Sequence, residues 1–245
     1  MDVAKEKRAI QYLKAFQPET EPYWLCYSGG KDSDVILTLA DLAGINYEAH
    51  HNLTTVDAPE TVRYVKSKPN VIIDLPKKSM WQLIVEHRTP PTRLMRYCCE
   101  ELKEKANKNR FKITGVRAAE SRKRAENGGV VKFIGKEKTL LRIADEMGAT
   151  VEQTKKGGIV LNMDNDENRR FVERCYRTST SLLNPIIDWT DDDVLEFLAH
   201  YGVELNPLYE AVIKDGKYCL CGKHRVGCIG CPMAQGKEMK GAVEI

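Results

Sequence analysis

Short apolar runs alternate with longer, partly polar stretches along the first half of the chain. The runs predict strands at Tyr23–Tyr27 (YWLCY), Asn46–His51, Asn70–Leu75 (NVIIDL) and Phe111–Val116 (FKITGV). The stretches between them predict helices over Asp32–Ala43, Pro59–Ser67, Met80–Arg88 and Met95–Asn109, after a charged amphipathic helix over residues 4–16. Strands separated by helices in this rhythm imply parallel pairing with right-handed crossovers. The expected fold is therefore α/β, a doubly wound, mostly parallel sheet with its ligand site at the carboxyl ends of the strands.

From about residue 123 to 168 the rhythm breaks. Gly128-Gly129, Gly135 and Gly157-Gly158 punctuate polar runs, which predicts a small insertion of hairpin or loop character. A helix is expected over Glu167–Arg177 and a last strand at Asn184–Ile187. Thr190 then stands as an N-cap before a helix whose first turn is acidic. The organisation expected is a nucleotide-binding α/β domain over 1–195, with a loop-rich, cysteine-containing segment over 196–245 packed on it.

Composition narrows the classes. A chain of 245 residues suffices for one large domain and a sizeable core. No apolar run approaches the roughly 20 residues of a membrane span, and the charged N-terminus lacks the core of a secretory signal. The expectation is a soluble, cytoplasmic protein with no membrane partner. Net charge is only +3 but uneven. Glu101–Leu140 holds 12 Lys/Arg against 5 Asp/Glu, whereas Asp188–Asp215 holds 8 acidic residues against Lys214. Two readings stay open for the basic block: a solvated face, or the lining of a polyanion site. Eight cysteines in a reducing compartment point to metal or redox chemistry rather than disulfides.

The most specific motif follows the first strand directly: Ser28-Gly29-Gly30-Lys31-Asp32-Ser33, leading into a helix. Two glycines allow a tight turn and close backbone approach to a ligand. Amides at the helix start, with the helix dipole, form an anion cradle to which Ser28 and Ser33 add hydroxyls. Lys31 can neutralise a phosphate. The pattern is neither a Walker loop nor G-x-G-x-x-G. Downstream, Arg117 follows an apolar strand and so belongs at the carboxyl end of the sheet, with Arg122 close behind. Guanidinium forks suit phosphate and sulfate because they donate paired, charge-assisted hydrogen bonds. Lys123 and Arg124 are expected to be solvated. His50-His51, at a strand end near this site, is the one histidine pair considered for a role.

In this setting SGGKDS resembles the PP-loop of the ATP pyrophosphatase superfamily. Three further segments resemble the phosphoadenosine-phosphosulfate and adenosine-phosphosulfate reductase family: Val56–Thr61 (VDAPET), Gly115–Arg122 (GVRAAESR) and Asn184–Leu195 (NPIIDWTDDDVL). The resemblance spans roughly residues 20–233. It implies an adenylyl nucleotide, either ATP with Mg²⁺ or a sulfonucleotide, bound at Ser28, Gly29, Gly30, Ser33 and Arg122. It implies catalytic roles for Lys31, Asp32 and Arg117.

Cys98-Cys99 and Cys228-Ile229-Gly230-Cys231 supply two cysteine pairs. Adjacent helical cysteines diverge by about 100°, which is awkward for one tetrahedral ion but acceptable to a cubane, where each thiolate meets a different iron. The arrangement also resembles the [4Fe–4S] site of adenosine-phosphosulfate reductases and phosphorothioation enzymes, with Cys98, Cys99, Cys228 and Cys231 as ligands. Zinc on Cys219, Cys221, Cys228 and Cys231 is the alternative, and free thiols are a third reading. Cys26 and Cys175 are expected to be packing residues.

One departure from the family pattern bears on the reaction. Its nucleophilic cysteine, within E-C-G-L-H, has no counterpart in residues 232–245. Three readings follow: a sulfonucleotide reductase-like enzyme with a thioredoxin-like partner, an ATP pyrophosphatase that adenylylates a nucleic acid for sulfur transfer from a donor, and a non-catalytic nucleotide and redox sensor. Self-association into a homo-oligomer is left open.

Overall fold

The computed structural model describes residues 2–104, 110–155, 158–177 and 179–233. The elements run α1 (Val3–Ala15), β1 (Tyr23–Cys26), α2 (Lys31–Ala43), β2 (Tyr47–Asn52), α3 (Pro59–Lys66), β3 (Val71–Asp74), α4 (Met80–His87) and α5 (Tyr97–Cys99), the last continuing as a π-helical turn over Glu100–Glu104. They continue with β4 (Phe111–Ile113), α6 (Arg122–Asn127), β5 (Val131–Ile134), α7 (Glu137–Met147), β6 (Glu152–Gln153), β7 (Ile159–Leu161), α8 (Asp166–Cys175), β8 (Thr180–Leu183) and α9 (Asp191–His200). A hairpin of β9 (Ala211–Lys214) and β10 (Lys217–Leu220) forms a separate two-stranded sheet whose Ala211, Tyr218 and Leu220 pack against the main core. Residues 105–109 of the predicted Met95–Asn109 helix lie outside the described residues.

The α/β reading holds: one eight-stranded sheet has the order β3-β2-β1-β4-β8-β5-β7-β6. The first five strands are parallel, and β5, β7 and β6 join antiparallel. One face places Tyr23, Leu25, Ala49, Phe111, Ile113, Phe133 and Leu183 in a common core with Leu13, Ile36, Leu39, Phe171 and Phe197 from the helices. Met80, Leu83, Tyr97, Cys98 and Leu102 form a second, smaller cluster. Local chemistry sets the helix ends. Gly44 closes α2 in the left-handed region at φ 63°, Pro59 opens α3, and Thr190 and Asp193 cap α9 reciprocally.

One expectation needs refining and another correcting. The 123–168 segment has the expected hairpin character, but it is more regular than its polar runs suggest, since it supplies two helices and the three antiparallel strands that widen the sheet. Its glycines mark close packing as much as loops: a Cβ on Gly129 would stand 2.6 Å from Val160 Cβ, and one on Gly128 2.5 Å from Arg124 O. The last strand of the large sheet is Thr180–Leu183 rather than Asn184–Ile187. Asn184 ends the ladder, its backbone amide donating to Val130 O and its side-chain amide to Gly129 O. Pro185 has no amide to donate, so Pro185–Asp188 becomes a turn that buries Pro185 and Ile186 and leaves Asp188 exposed.

Strand order positions the site. Because β1 lies between β2 and β4, the loops leaving β1 and β4 emerge side by side where the chain reverses its direction across the sheet.

Candidate functional site

The loop after β1 folds around its glycines. Gly29 is left-handed at φ 73°, and a Cβ there would meet Val65 Cγ2 at 2.9 Å, so α3 presses directly on the loop. Gly30 caps α2: its amide donates to Ser33 Oγ at 3.1 Å and its carbonyl accepts from the same hydroxyl at 2.7 Å. Ser28 Oγ lies 3.3 Å from Ser33 Oγ. The next amide departs from expectation, because Lys31 N–H is not open but donates to the Tyr209 hydroxyl at 3.0 Å. Beside it, Asn206 Nδ2 donates to Gly29 O at 3.0 Å and Thr61 Oγ1 at 3.1 Å. Neither Asn206 nor Tyr209 stood out in the sequence. Their only local signal is the Asn206-Pro207 turn in the loop that follows α9.

Between this loop and the loop after β4 lies a ring of charges. Arg117 is 1% exposed, yet it carries a full charge. Its Nε donates to Asp32 Oδ1 at 2.7 Å, its Nη2 to Asp191 Oδ1 at 2.8 Å and its Nη1 to Trp189 O at 3.3 Å. Lys31 Nζ stands 3.4 Å from both carboxylates. Burial pushes the Asp191 carboxyl up, but the hydrogen bond and charge of Arg117 and the Lys31 ammonium outweigh it, and the net shift is downward. Gly115 permits the approach, since a Cβ there would stand 2.8 Å from Asp32 O. Lys31, Asp32 and Arg117 are thus brought together, with Asp191 added.

Arg122 is not brought in. Its side chain is 92% exposed and pairs with Glu126 at 3.1 Å. Arg124, expected to be solvated, turns inward instead. It is bound to Glu120 and lies within electrostatic reach of Asp32, Arg117 and Arg225. Both lie in the first turn of the six-residue α6, where sequence spacing gave no means of choosing between them.

Beneath the loop, Asp34 is almost fully buried. Tyr27 donates to its Oδ1 at 2.5 Å, and its Oδ2 has no partner among the described residues. Burial lifts this carboxyl to about 7, against the opposing pull of the Tyr27 hydrogen bond and of Lys68. The histidine pair is structural in its contacts: His50 Nδ1 meets Asp74 at 2.8 Å and stacks on Trp24, while His51 Nδ1 meets Tyr27 O at 3.1 Å.

The cysteine pairs approach from opposite ends of the chain. Cys228 bridges Asp57 in the loop after β2, Ile229 N donates to Val56 O at 2.8 Å, and Cys228 Sγ lies 3.4 Å from Thr54 Oγ1. Burial raises the Cys98 thiol, and Cys99 and Cys228 raise it further. Burial alone would lower Lys103, but Cys228, Asp57 and Cys99 reverse the sign. Three of the four thiols therefore share one corner with a lysine, and Cys231 follows Cys228 in a tight turn. Four soft thiol donors suit iron–sulfur or zinc chemistry. The thiols would have to close further, because no group of three or more His, Cys, Asp or Glu side chains among the described residues is arranged to hold a metal ion. Cys219 lies in β10 and Cys221 just beyond it. Burial pushes the Cys26 thiol up to about 11 and the Cys175 thiol likewise, in keeping with packing roles. Among the described residues no helix is long and apolar enough to cross a membrane.

A protein-family model, described as the phosphoadenosine phosphosulfate reductase domain, matches residues 22–234. A comparison with curated proteins finds no match. The family match begins at the strand before the phosphate loop and ends just past Cys231, so it takes in the charge ring and both cysteine pairs.

Proposed function

The chain belongs to the phosphoadenosine phosphosulfate reductase domain family, and from that premise we propose that it is a PP-loop enzyme of sulfur metabolism that binds an adenylyl nucleotide with its phosphates at Ser28–Ser33. The observation that carries the reading is the charge ring of Lys31, Arg117, Asp32 and Asp191 at the start of α2, where the loops from β1 and β4 meet. In such a site most of the catalytic work is positioning and charge neutralisation. Lys31 and Arg117 supply the positive charge, Ser28 and Ser33 supply hydroxyl donors, and Asp32 fixes the guanidinium plane. Arg124 takes the second guanidinium role that the sequence suggested for Arg122.

Sulfonucleotide reduction, with a thioredoxin-like protein as reductant, is the first reading. The second is ATP-dependent adenylylation of a nucleic acid for sulfur transfer, with Mg²⁺ accompanying ATP. The surplus of Lys/Arg over Asp/Glu between residues 101 and 140 favours it. In either case a [4Fe–4S] cluster would be held by Cys98, Cys99, Cys228 and Cys231, with zinc as the alternative occupant. Such a cluster supplies charge and redox poise beside the nucleotide. The support is the shared corner of Cys98, Cys99 and Cys228.

Product analysis separates the readings. Sulfite from adenosine phosphosulfate and reduced thioredoxin is expected under the first, and AMP with pyrophosphate from ATP under the second. Iron, sulfide and zinc analysis of anaerobically purified protein tests the cysteine site. Gly30→Asp places a carboxylate in the cradle and should abolish nucleotide binding. A folded Gly30→Asp protein with unchanged affinity would refute this placement of the site.

A further inference from the structure

Three consecutive carboxylates open α9, and each has a different partner. Asp193 completes the cap with Thr190 and pairs with Lys5 at 2.5 Å. Asp192 pairs with Lys217 at 2.9 Å. Asp191 alone turns to the phosphate loop, where its Oδ1 lies 2.8 Å from Arg117 Nη2 and 3.4 Å from Lys31 Nζ. Capping does not need it, because Thr190 Oγ1 already accepts the Asp193 amide.

The two carboxylates on Arg117 are unequal. Asp32 is 21% exposed and its backbone is pressed against Gly115, so it is held in place. The Asp191 side chain is 69% exposed. It can swing into water at little cost, since an exposed carboxylate loses little on leaving its partner. Arg117 would then keep Asp32 and Trp189 O. A single oxygen held by a guanidinium and an ammonium is also what an incoming phosphate or sulfate oxygen would be.

We propose that Asp191 is an internal stand-in for the substrate's tetrahedral oxyanion, occupying the position between Arg117 and Lys31 until a nucleotide phosphate or sulfate displaces it. This inference rests on the reading of the loop as a nucleotide site. Asp191 thereby determines specificity: only ligands that bring a charged oxyanion to this position must displace it, and those that do not reach it are bound without regard to it.

The test is nucleotide affinity by calorimetry with the full chain, comparing wild type, Asp191→Asn and Asp192→Asn. The two variants remove the same charge from the same helical turn. Only Asp191 touches Arg117 and Lys31, and Asp191→Ser provides a second, smaller replacement. ATP and adenosine phosphosulfate should bind more tightly to both Asp191 variants, by up to about fivefold. Asp192→Asn should stay within about twofold of wild type, and adenosine should be unaffected throughout. Equal tightening in Asp192→Asn would mean a general field effect and would overturn the proposal. So would unchanged affinity in the Asp191 variants, and a Mg²⁺-dependent weakening there would make Asp191 a cation ligand instead. Failure of all four proteins to bind ATP and adenosine phosphosulfate would overturn the nucleotide reading together with this inference.

Discussion

Gly115 has no room for even one methyl group, because the atom it would touch is backbone: Asp32 O at 2.8 Å. Flexible side chains can yield to such a contact, whereas the first turn of α2 can do so only by moving the charge ring. Gly115→Ala is expected to cost about 1–3 kcal/mol in urea unfolding and to weaken nucleotide binding in the same protein. Asp34 is the second residue whose surroundings dictate behaviour. Its folded carboxyl titrates at about 7 because burial disfavours the charged form, while in the unfolded chain it titrates near the ordinary aspartate value. The neutral form is thus favoured by folding. That stability is complete below about pH 4 and is lost as pH rises through about 7, by up to about 4 kcal/mol. Asp191, Asp193 and Asp164 are shifted downward and act in the opposite sense, at acidic pH. Unfolding midpoints between about pH 5 and 8 should fall for wild type and stay flatter for Asp34→Asn. Parallel curves would show that Asp34 is not the titrating group.

At the scale of elements, what the sequence made legible depended on whether local chemistry or distant packing decided the outcome. The segments β1, α2, β2, α3 and β3 were readable because apolar runs, Gly44 and Pro59 each mark a boundary by themselves. The phosphate loop was readable for the same reason, since its glycines and hydroxyls act within six residues. The strands β5 and β7 were not, because Phe133 and Ile159 become buried only through pairing with distant partners. Arg124 was expected to be solvated and Tyr209 escaped notice because the direction of a side chain on a short helix or helical turn is set by what packs against it. Thr190 lies at the legible end of this range. Its hydroxyl accepts the Asp193 amide at 3.2 Å, while its own amide donates to Asp193 Oδ2 at 2.7 Å. Thr190→Ala should therefore cost about 1 kcal/mol of stability, and Thr190→Ser should restore nearly all of it. Equal losses in the two variants would show that the methyl, not the hydroxyl, carries the effect.

The molecule is tied together where residues 206–229 return to the loops after β1 and β2. Asn206 grips Gly29 O, Tyr209 receives the Lys31 amide, Gly222 and Lys223 bond back to Tyr209 O and Leu208 O, and Cys228 pairs with the loop after β2. This run lies across the phosphate loop and reaches the corner of Cys98 and Cys99, so the two candidate sites are bridged by one hydrogen-bonded segment. Asn206 is its first anchor and is 1% exposed. Asn206→Ala leaves both Gly29 O and Thr61 Oγ1 without their buried donor, at about 1–3 kcal/mol for the unsatisfied groups. Thr61→Val removes only the second of these contacts and keeps the grip on Gly29. If the segment acts as a tie, Asn206→Ala should weaken nucleotide binding and also hasten proteolytic cleavage between Gly222 and Gly227, a stretch remote from the substitution in sequence. Thr61→Val should do neither to a comparable degree. Matching losses in both variants would reduce Asn206 to an ordinary buried amide and leave the two sites mechanically independent.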